Sequence, residues 1–278
     1  MRASPNLNIV VALPCEAKPL KRHYKLTRQM DAEPFTVYVN KAKSIHLIVS
    51  GVGKVKSAAA TAWIAQYSGN KKHHTYLNLG IAGGNIGETG DVFVANKVID
   101  AALDQAWYPS AFMLGKQKQA MLMTHNQPQH SYPESSIVDM ESSGFFPVAT
   151  LFVAQEQVQV VKVISDDCEA SMQAITATVV EAFIDASITT IGNMVAKLLK
   201  LSEQEEKNYS TNDCFVEITK QWHFTVYQQT QLKEILRRWF VLFPDVSVRS
   251  KLDGLKDASI MLRKLESHLQ YADYTWVE

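Results

Sequence analysis

Short runs of Val, Ile and Leu alternate along the chain with longer segments whose apolar residues recur at helical spacing, and the alternation holds to about residue 200. Residues 8–13, 35–40, 45–50, 75–79, 91–95, 120–124 and 158–164 read as strands. Several are apolar nearly throughout, as strands are when helices cover both faces of a parallel sheet. The alanine-rich segment 54–66 reads as a helix, and so do 141–155, despite Pro147, and 171–201. Strands and helices in this order predict an α/β protein with a central, partly parallel sheet.

Past Leu201 the texture changes. The polar run 202–212 reads as a connector. Beyond it, Leu232, Ile235, Leu236, Trp239 and Phe240 follow one helical face that Pro244 ends, and Leu252, Leu255, Leu262, Leu265 and Leu269 mark a second. Between connector and helix, Trp222, Phe224 and Val226 alternate as in a short strand. The sequence thus divides into 1–200 and a mainly helical extension, 201–278. The leucine faces of the extension must bury against the core domain, a second subunit or another protein.

Composition narrows the function classes. The 278 residues carry 28 basic and 28 acidic side chains, so the net charge is zero. This argues against a protein that gains affinity by neutralising nucleic-acid phosphates. The extension has ten basic against twelve acidic residues, which sets aside a nucleic-acid appendage despite the pair Arg237-Arg238 beside Trp239. No apolar run, 145–154 included, reaches the roughly 18 residues of a membrane span. The start, Met1-Arg-Ala-Ser-Pro5, lacks the apolar core of a signal peptide, so the expected compartment is the cytoplasm. Cys15, Cys168 and Cys214 are scattered and form neither a disulfide framework nor a CxxC site. The histidines show no metal-ligand spacing, and His73-His74 reads as a solvated turn. No metal and no cofactor is expected.

Candidate chemistry collects where α/β sheets bind ligands, at the carboxyl ends of strands. Strand 8–13 leads into Pro14-Cys15-Glu16, strand 75–79 into Gly80-Ile-Ala-Gly-Gly84, and strand 158–164 into Ser165-Asp166-Asp167. A fourth acidic element, Val138-Asp-Met-Glu-Ser142, opens a helix. Carboxylates facing a glycine turn suit a polyhydroxy ligand, because glycines admit close backbone approach and carboxylates accept from vicinal hydroxyls. Taken singly, Glu16 also reads as a helix-start carboxylate, Asp139 as an N-cap, Ser165-Asp166-Asp167 as a helix cap, and Gly80–Gly84 as a plain strand-to-helix turn.

As a set, the motifs Ile9-Val-Val-Ala-Leu…Glu16, Ser50-Gly-Val-Gly-Lys-Val…Ala60, Leu77-Asn-Leu-Gly-Ile-Ala-Gly-Gly84, Gly90-Asp-Val-Phe-Val94, Val138-Asp-Met-Glu141 and Ile164-Ser-Asp166 resemble the purine nucleoside phosphorylase/uridine phosphorylase superfamily. The branch they resemble most is the methylthioadenosine/adenosylhomocysteine nucleosidases. The resemblance covers roughly residues 8–200. It implies a three-layer α/β/α fold with a mixed central sheet, a small-molecule nucleoside as substrate, and a homodimer. It further implies that Asp166 is the general acid that protonates the leaving purine at N7. Glu141 would hold the ribose hydroxyls with Met140 against the sugar, and Glu16 would orient the attacking water. Gly80, Ile81, Ala82 and Gly83 would line ribose and base with backbone groups, beside Ser165.

Several features separate this chain from that pattern. It has no arginine between Arg28 and Arg237, leaving Arg22, Arg28, Lys54 or Lys56 as the cations within reach of a phosphate, and Ile81 stands where a small hydroxyl residue is usual. Both favour water over phosphate as nucleophile. The stretch before Val138 is short, and Thr124-His-Asn-Gln-Pro-Gln-His130 lacks the expected aromatic. The base pocket is then open, or completed by Trp107, Tyr108, the extension or a second subunit. Three readings remain: a nucleosidase, a phosphate-dependent nucleoside phosphorylase, and a non-catalytic nucleoside-binding protein on the same fold, with 201–278 available for a protein partner.

Overall fold

A computed structural model of the chain describes residues 6–129, 131–166, 175–243, 246–252, 254–255 and 257–273. Its contacts divide the chain into two units, Ser4–Glu203 and Gln204–Glu278 with Met1–Ala3. The first half of the chain forms β1 (Leu7–Val11), α1 (Pro14–His23), β2 (Thr27–Gln29), β3 (Thr36–Val39), β4 (Ile45–Val49), α2 (Lys54–Tyr67), β5 (Thr75–Gly84), β6 (Val92–Asp100) and β7 (Gln105–Trp107). There follow β8 (Lys118–Thr124), β9 (Ser136–Asp139), α3 (Ser142–Ala149), β10 (Val158–Asp166), α4 (Ala177–Ala186), α5 (Ile188–Gln221), α6 (Val226–Leu242) and α7 (Ala258–Asp273).

The sheet is mixed. β1 lies between β4 and β5, parallel to both, with Ile9 opposite Leu47 and Leu77. β5 continues parallel to β10 and antiparallel to β9. β10 pairs with β6, β6 with β8 and β8 with β9, so β5, β10, β6, β8 and β9 close a ring. From β4 the sheet runs on antiparallel through β3 and β2. Period-two alternation then builds two cores. Val10 packs with Ile48, Tyr76, Ile64 of α2 and Phe145 of α3 on one face. Ile9 and Val11 pack with Leu20 of α1, Ile184 of α4 and Leu198 of α5 on the other. Helices on both faces of a mixed sheet are the three layers expected.

The seven expected strands form as β1, β3, β4, β5, β6, β8 and β10 with shifted bounds, while β2, β7 and β9 were not expected. Gly80–Gly84 is not a turn: β5 runs through it, because Ala82 pairs with Ile164 and Gly83 with Val138, supplying ladder bonds on both sides. Val138-Asp139 ends a strand instead of opening a helix, and α3 begins at Ser142. Ser165 and Asp166 finish β10 rather than capping a helix, while Asp167 and Cys168 lie outside the described residues, as do His130 and Pro244. The polar run 202–212 is helical, within α5, and the expected 171–201 helix is broken at Ser187. Trp222 and Phe224 form no strand; Thr225 N-caps α6, its hydroxyl accepting from Gln228 N at 3.2 Å while Gln228 Oε1 accepts from Thr225 N at 3.0 Å. His74 is buried, contrary to its reading as solvated.

Within the second unit the leucine faces cover one another. Leu232, Leu236 and Trp239 of α6 pack with Met261, Leu265 and Leu269 of α7, and Trp239 Nε1 donates to Val246 O at 2.9 Å. The burial that the sequence demanded is met inside the unit itself. Among the described residues no single helix is long and apolar enough to cross a membrane.

One contact ties this framework to the carboxylates. α2 and α3 cross so closely that a Cβ at Gly144 would strike the backbone carbonyl of Lys54. Backbone cannot yield as a flexible side chain can. Gly144→Ala is therefore expected to cost about 3 kcal/mol of unfolding stability, the upper end of overpacking. Urea unfolding measures this, and a loss below about 1 kcal/mol contradicts the packing described.

Candidate active site

The carboxyl ends of β1, β5 and β10 and the end of β9 surround one cavity of about 200 Å³. Its walls include Glu16, Ile81, Ala82, Gly83, Met140, Glu141, Ser165 and Asp166. These residues come from four separate parts of the sequence, and the sheet topology brings them together. Gly80 is the exception among the expected lining residues. It lies against the Glu16 carboxylate, where a Cβ would come within 2.6 Å of Oε1, so its lack of a side chain makes room for a protein group and not for a ligand.

Glu16 sits in the first turn of α1 and is buried. Its Oε2 accepts from the backbone N–H groups of Ala12 at 2.9 Å and Leu13 at 2.8 Å, and its Oε1 from that of Ile81 at 3.0 Å. One side chain thus serves as the helix-start carboxylate and lines the cavity. The Ile81 N–H, expected to face ribose or base, is committed to Glu16. Burial raises the Glu16 carboxyl above its ordinary value, with Lys162 and the three N–H groups pulling the other way.

Glu141 follows β9 and precedes α3. Its Oε1 accepts from Gly53 N at 2.8 Å, at the start of α2, which is how the tight α2–α3 crossing positions it. Burial, and next the neighbouring charge of Asp139, push its pKa up to about 7 against the opposing effects of Lys162 and the Gly53 N–H. Asp166 ends β10 after an irregularity in the ladder: Ile164 pairs with Ala82 and Asp166 with Gly83, leaving Ser165 as the extra residue. Such a bulge re-aims the side chains around it. Ser165 Oγ donates to Ala82 O at 3.2 Å and also to Asp166 Oδ1.

Lys162 is the residue that sequence reasoning missed. It is 1% exposed, inside a strand buried along its whole length, and its Nζ lies 2.9 Å from Asp139 Oδ2. Burial acts to lower its pKa, but Asp139, Glu141 and Glu16 together leave it raised, so the ammonium form is held. Asp139 also accepts from Thr124 Oγ1 at 2.7 Å and Ser142 N at 3.0 Å, and the Ser142 hydroxyl reaches Asn78 Oδ1 at 3.0 Å. The signal was present: a lysine inside a strand covered on both faces requires a buried partner. Which partner could not be read, since Asp139 reaches it through the fold. Tyr132 was missed too, two residues beyond the end of the segment that lacks an aromatic; it lines the cavity, whereas Trp107 and Tyr108 do not.

Two of the four cations named for an anion are otherwise engaged. Arg22 pairs with Asp185 at 2.6 Å and Glu181 at 3.5 Å, and Lys54 Nζ bridges both oxygens of Asp100 at 2.9 and 2.8 Å. Among the described residues, no group of three or more His, Cys, Asp or Glu side chains is placed to hold a metal ion.

No protein-family model matches the sequence, and no curated protein matches it at a significant level. Solved structures do match the fold. A 5′-methylthioadenosine/S-adenosylhomocysteine nucleosidase from Helicobacter pylori superposes with a TM-score of 0.59 at 19% identity, covering 70% of this chain and 99% of its own. Futalosine hydrolase from the same organism gives 0.59 at 19% identity, over 69% of this chain and 97% of its own. The corresponding methylthioadenosine/adenosylhomocysteine nucleosidase from Neisseria meningitidis gives 0.55 at 18%, over 70% and 99%. The fold is the one these nucleosidases share.

Removing the ammonium would leave buried carboxylates uncompensated. Lys162→Met is expected to cost about 3–5 kcal/mol in chemical unfolding, and pairing it with Asp139→Asn should restore part of that loss. Equal stability of Lys162→Met and the parent protein contradicts the pairing.

Proposed function

We propose that this chain hydrolyses the N-glycosidic bond of a purine nucleoside, of the methylthioadenosine type or related to it. The observation that carries the reading is the convergence of Glu16, Glu141 and Asp166 on one cavity, on a fold shared with nucleosidases. In this reading Asp166 gives its proton to N7 of the departing base, Glu141 accepts from the ribose hydroxyls with Met140 beside the sugar, and Glu16 orients water and takes its proton. A carboxyl raised by burial suits the work of a base on water. Three carboxyl groups, Glu16, Asp139 and Glu141, share the buried ammonium of Lys162. The surplus of negative charge favours a sugar that becomes cationic as the bond breaks.

Water is favoured over phosphate for a structural reason. The backbone N–H groups of Ala12, Leu13 and Ile81 already hold the Glu16 carboxylate. A phosphate brought beside it would meet a negative charge where it needs donors. Arg22 and Lys54 are drawn to other partners. The resemblance of the motifs to the nucleosidases extends the proposal to a homodimer.

Release of free base from a panel of nucleosides, followed by chromatography, tests the reading. Asp166→Asn is expected to lower the rate about 100- to 10,000-fold, the usual contribution of a general acid, with the melting temperature kept. A panel without any cleavage supports the non-catalytic reading instead. Nucleoside binding should also strengthen as pH rises through about 7, because Glu141 accepts from two hydroxyls only when ionised. Titration calorimetry between about pH 6 and 8 reads this, and Glu141→Gln should flatten the profile. A parent protein without such a rise removes Glu141 from ribose binding.

A further inference from the structure

Beside Asp166 the cavity wall is a tyrosine that neither strand nor helix supplies. Tyr132 lies between β8 and β9, and its hydroxyl donates to Oδ2 of Asp166. The other oxygen, Oδ1, accepts from the Ser165 hydroxyl. Both oxygens of the carboxylate are thus engaged by donors of the chain itself. The same phenol lies on the backbone of Gly83, where a Cβ would run into its hydroxyl and ring. Gly83 stands opposite Asp166 in the β5–β10 ladder and opposite Val138 in the β5–β9 ladder, so the phenol covers the point where the three strands meet. What is left of the cavity, about 200 Å³, is below the roughly 300–1,000 Å³ of sites that enclose a small molecule.

We propose that Tyr132 is a built-in competitor of the nucleobase: its phenol occupies the place on Gly83 and the hydrogen-bonding position on Asp166 that a base takes, and must be displaced for the base to enter. This rests on the nucleoside reading of the site. A base nitrogen that receives the Asp166 proton has to lie within hydrogen-bond distance of one of its two oxygens. Ser165 belongs to β10 and is anchored on Ala82 O, so the Oδ1 side is built into the sheet. The Oδ2 side is held by a residue from an exposed connection. Ser131, Pro133, Glu134 and Ser135 around Tyr132 are all exposed, and the Tyr132 carbonyl accepts from Asn85 Nδ2 at 3.4 Å at the surface. The phenol belongs to none of the three hydrophobic clusters described, so displacing it leaves them in place. It also uncovers Gly83, whose missing side chain leaves a flat backbone surface suited to a planar ring.

The competition has a defined thermodynamic signature. A ligand whose site is open only part of the time binds weaker by that fraction, and a substitution that releases the competitor restores the intrinsic affinity. Adenine and hypoxanthine are titrated calorimetrically into the full-length protein and its Tyr132→Phe and Tyr132→Ala variants. Amide hydrogen exchange across residues 131–136 is measured on the same proteins. Tyr132→Phe, which keeps the ring and loses the hydroxyl, is expected to bind adenine about tenfold more tightly than the parent. Tyr132→Ala should bind at least as tightly as Tyr132→Phe. Exchange across 131–136 should quicken in Tyr132→Phe, and in the parent when adenine is bound. Equal or weaker adenine binding by Tyr132→Phe, with binding by the parent measurable, overturns the proposal and makes Tyr132 a fixed wall of the site. If no protein binds either base while exchange still quickens in Tyr132→Phe, the nucleoside reading itself falls, and the competitor role with it.

Discussion

A single buried ammonium lets three carboxyl groups stand together. Lys162 is sealed inside the sheet, bound to Asp139 at 2.9 Å and close enough to Glu141 and Glu16 to influence both. Without it, Asp139 and the two glutamates would repel one another in a medium where charges are poorly screened. With it, the end of β9, the first turn of α1 and the start of α3 can approach. The rest of the site follows from that allowance. Asp139 fixes Ser142 and so the start of α3, Gly144 lets α2 come against α3, and the first turn of α2 offers Gly53 N to Glu141. Packing and electrostatics here are two descriptions of one arrangement.

Much of this was legible in the sequence, for identifiable reasons. β1 and β4 are apolar nearly throughout, so both their strand character and their burial between helices could be read directly. Glu16, Glu141 and Asp166 could be named because each follows a strand or a turn in a recurring motif. Other features depend on partners remote in sequence. Gly80–Gly84 has the composition of a turn, and only the ladders to Ile164 and Val138 hold it as strand. Residues 202–212 are polar, yet rich in Glu, Gln and Lys, which favour helix as readily as solvent. Lys162 was visible as an anomaly, but its partner was not. Tyr132 gave no periodic signal, since it acts from an irregular connection between β8 and β9.

The structure also moves two arguments made from composition. The arginine-poor core favoured water on grounds of what the chain lacks. The hydrogen bonds of Glu16 supply a positive reason, because the donors that would receive an anion already hold a carboxylate. The leucine faces of the extension called for burial against another body. They are met within the unit, by Trp239, Met261 and their neighbours.

The central claim is that a carboxylate of the protein takes the position a phosphate would need, leaving water as the nucleophile. The most direct measurement is the identity of the sugar product when a cleaved nucleoside is turned over in saturating phosphate. The account predicts free sugar, formed at a rate that phosphate does not raise. Accumulation of the sugar 1-phosphate would contradict it.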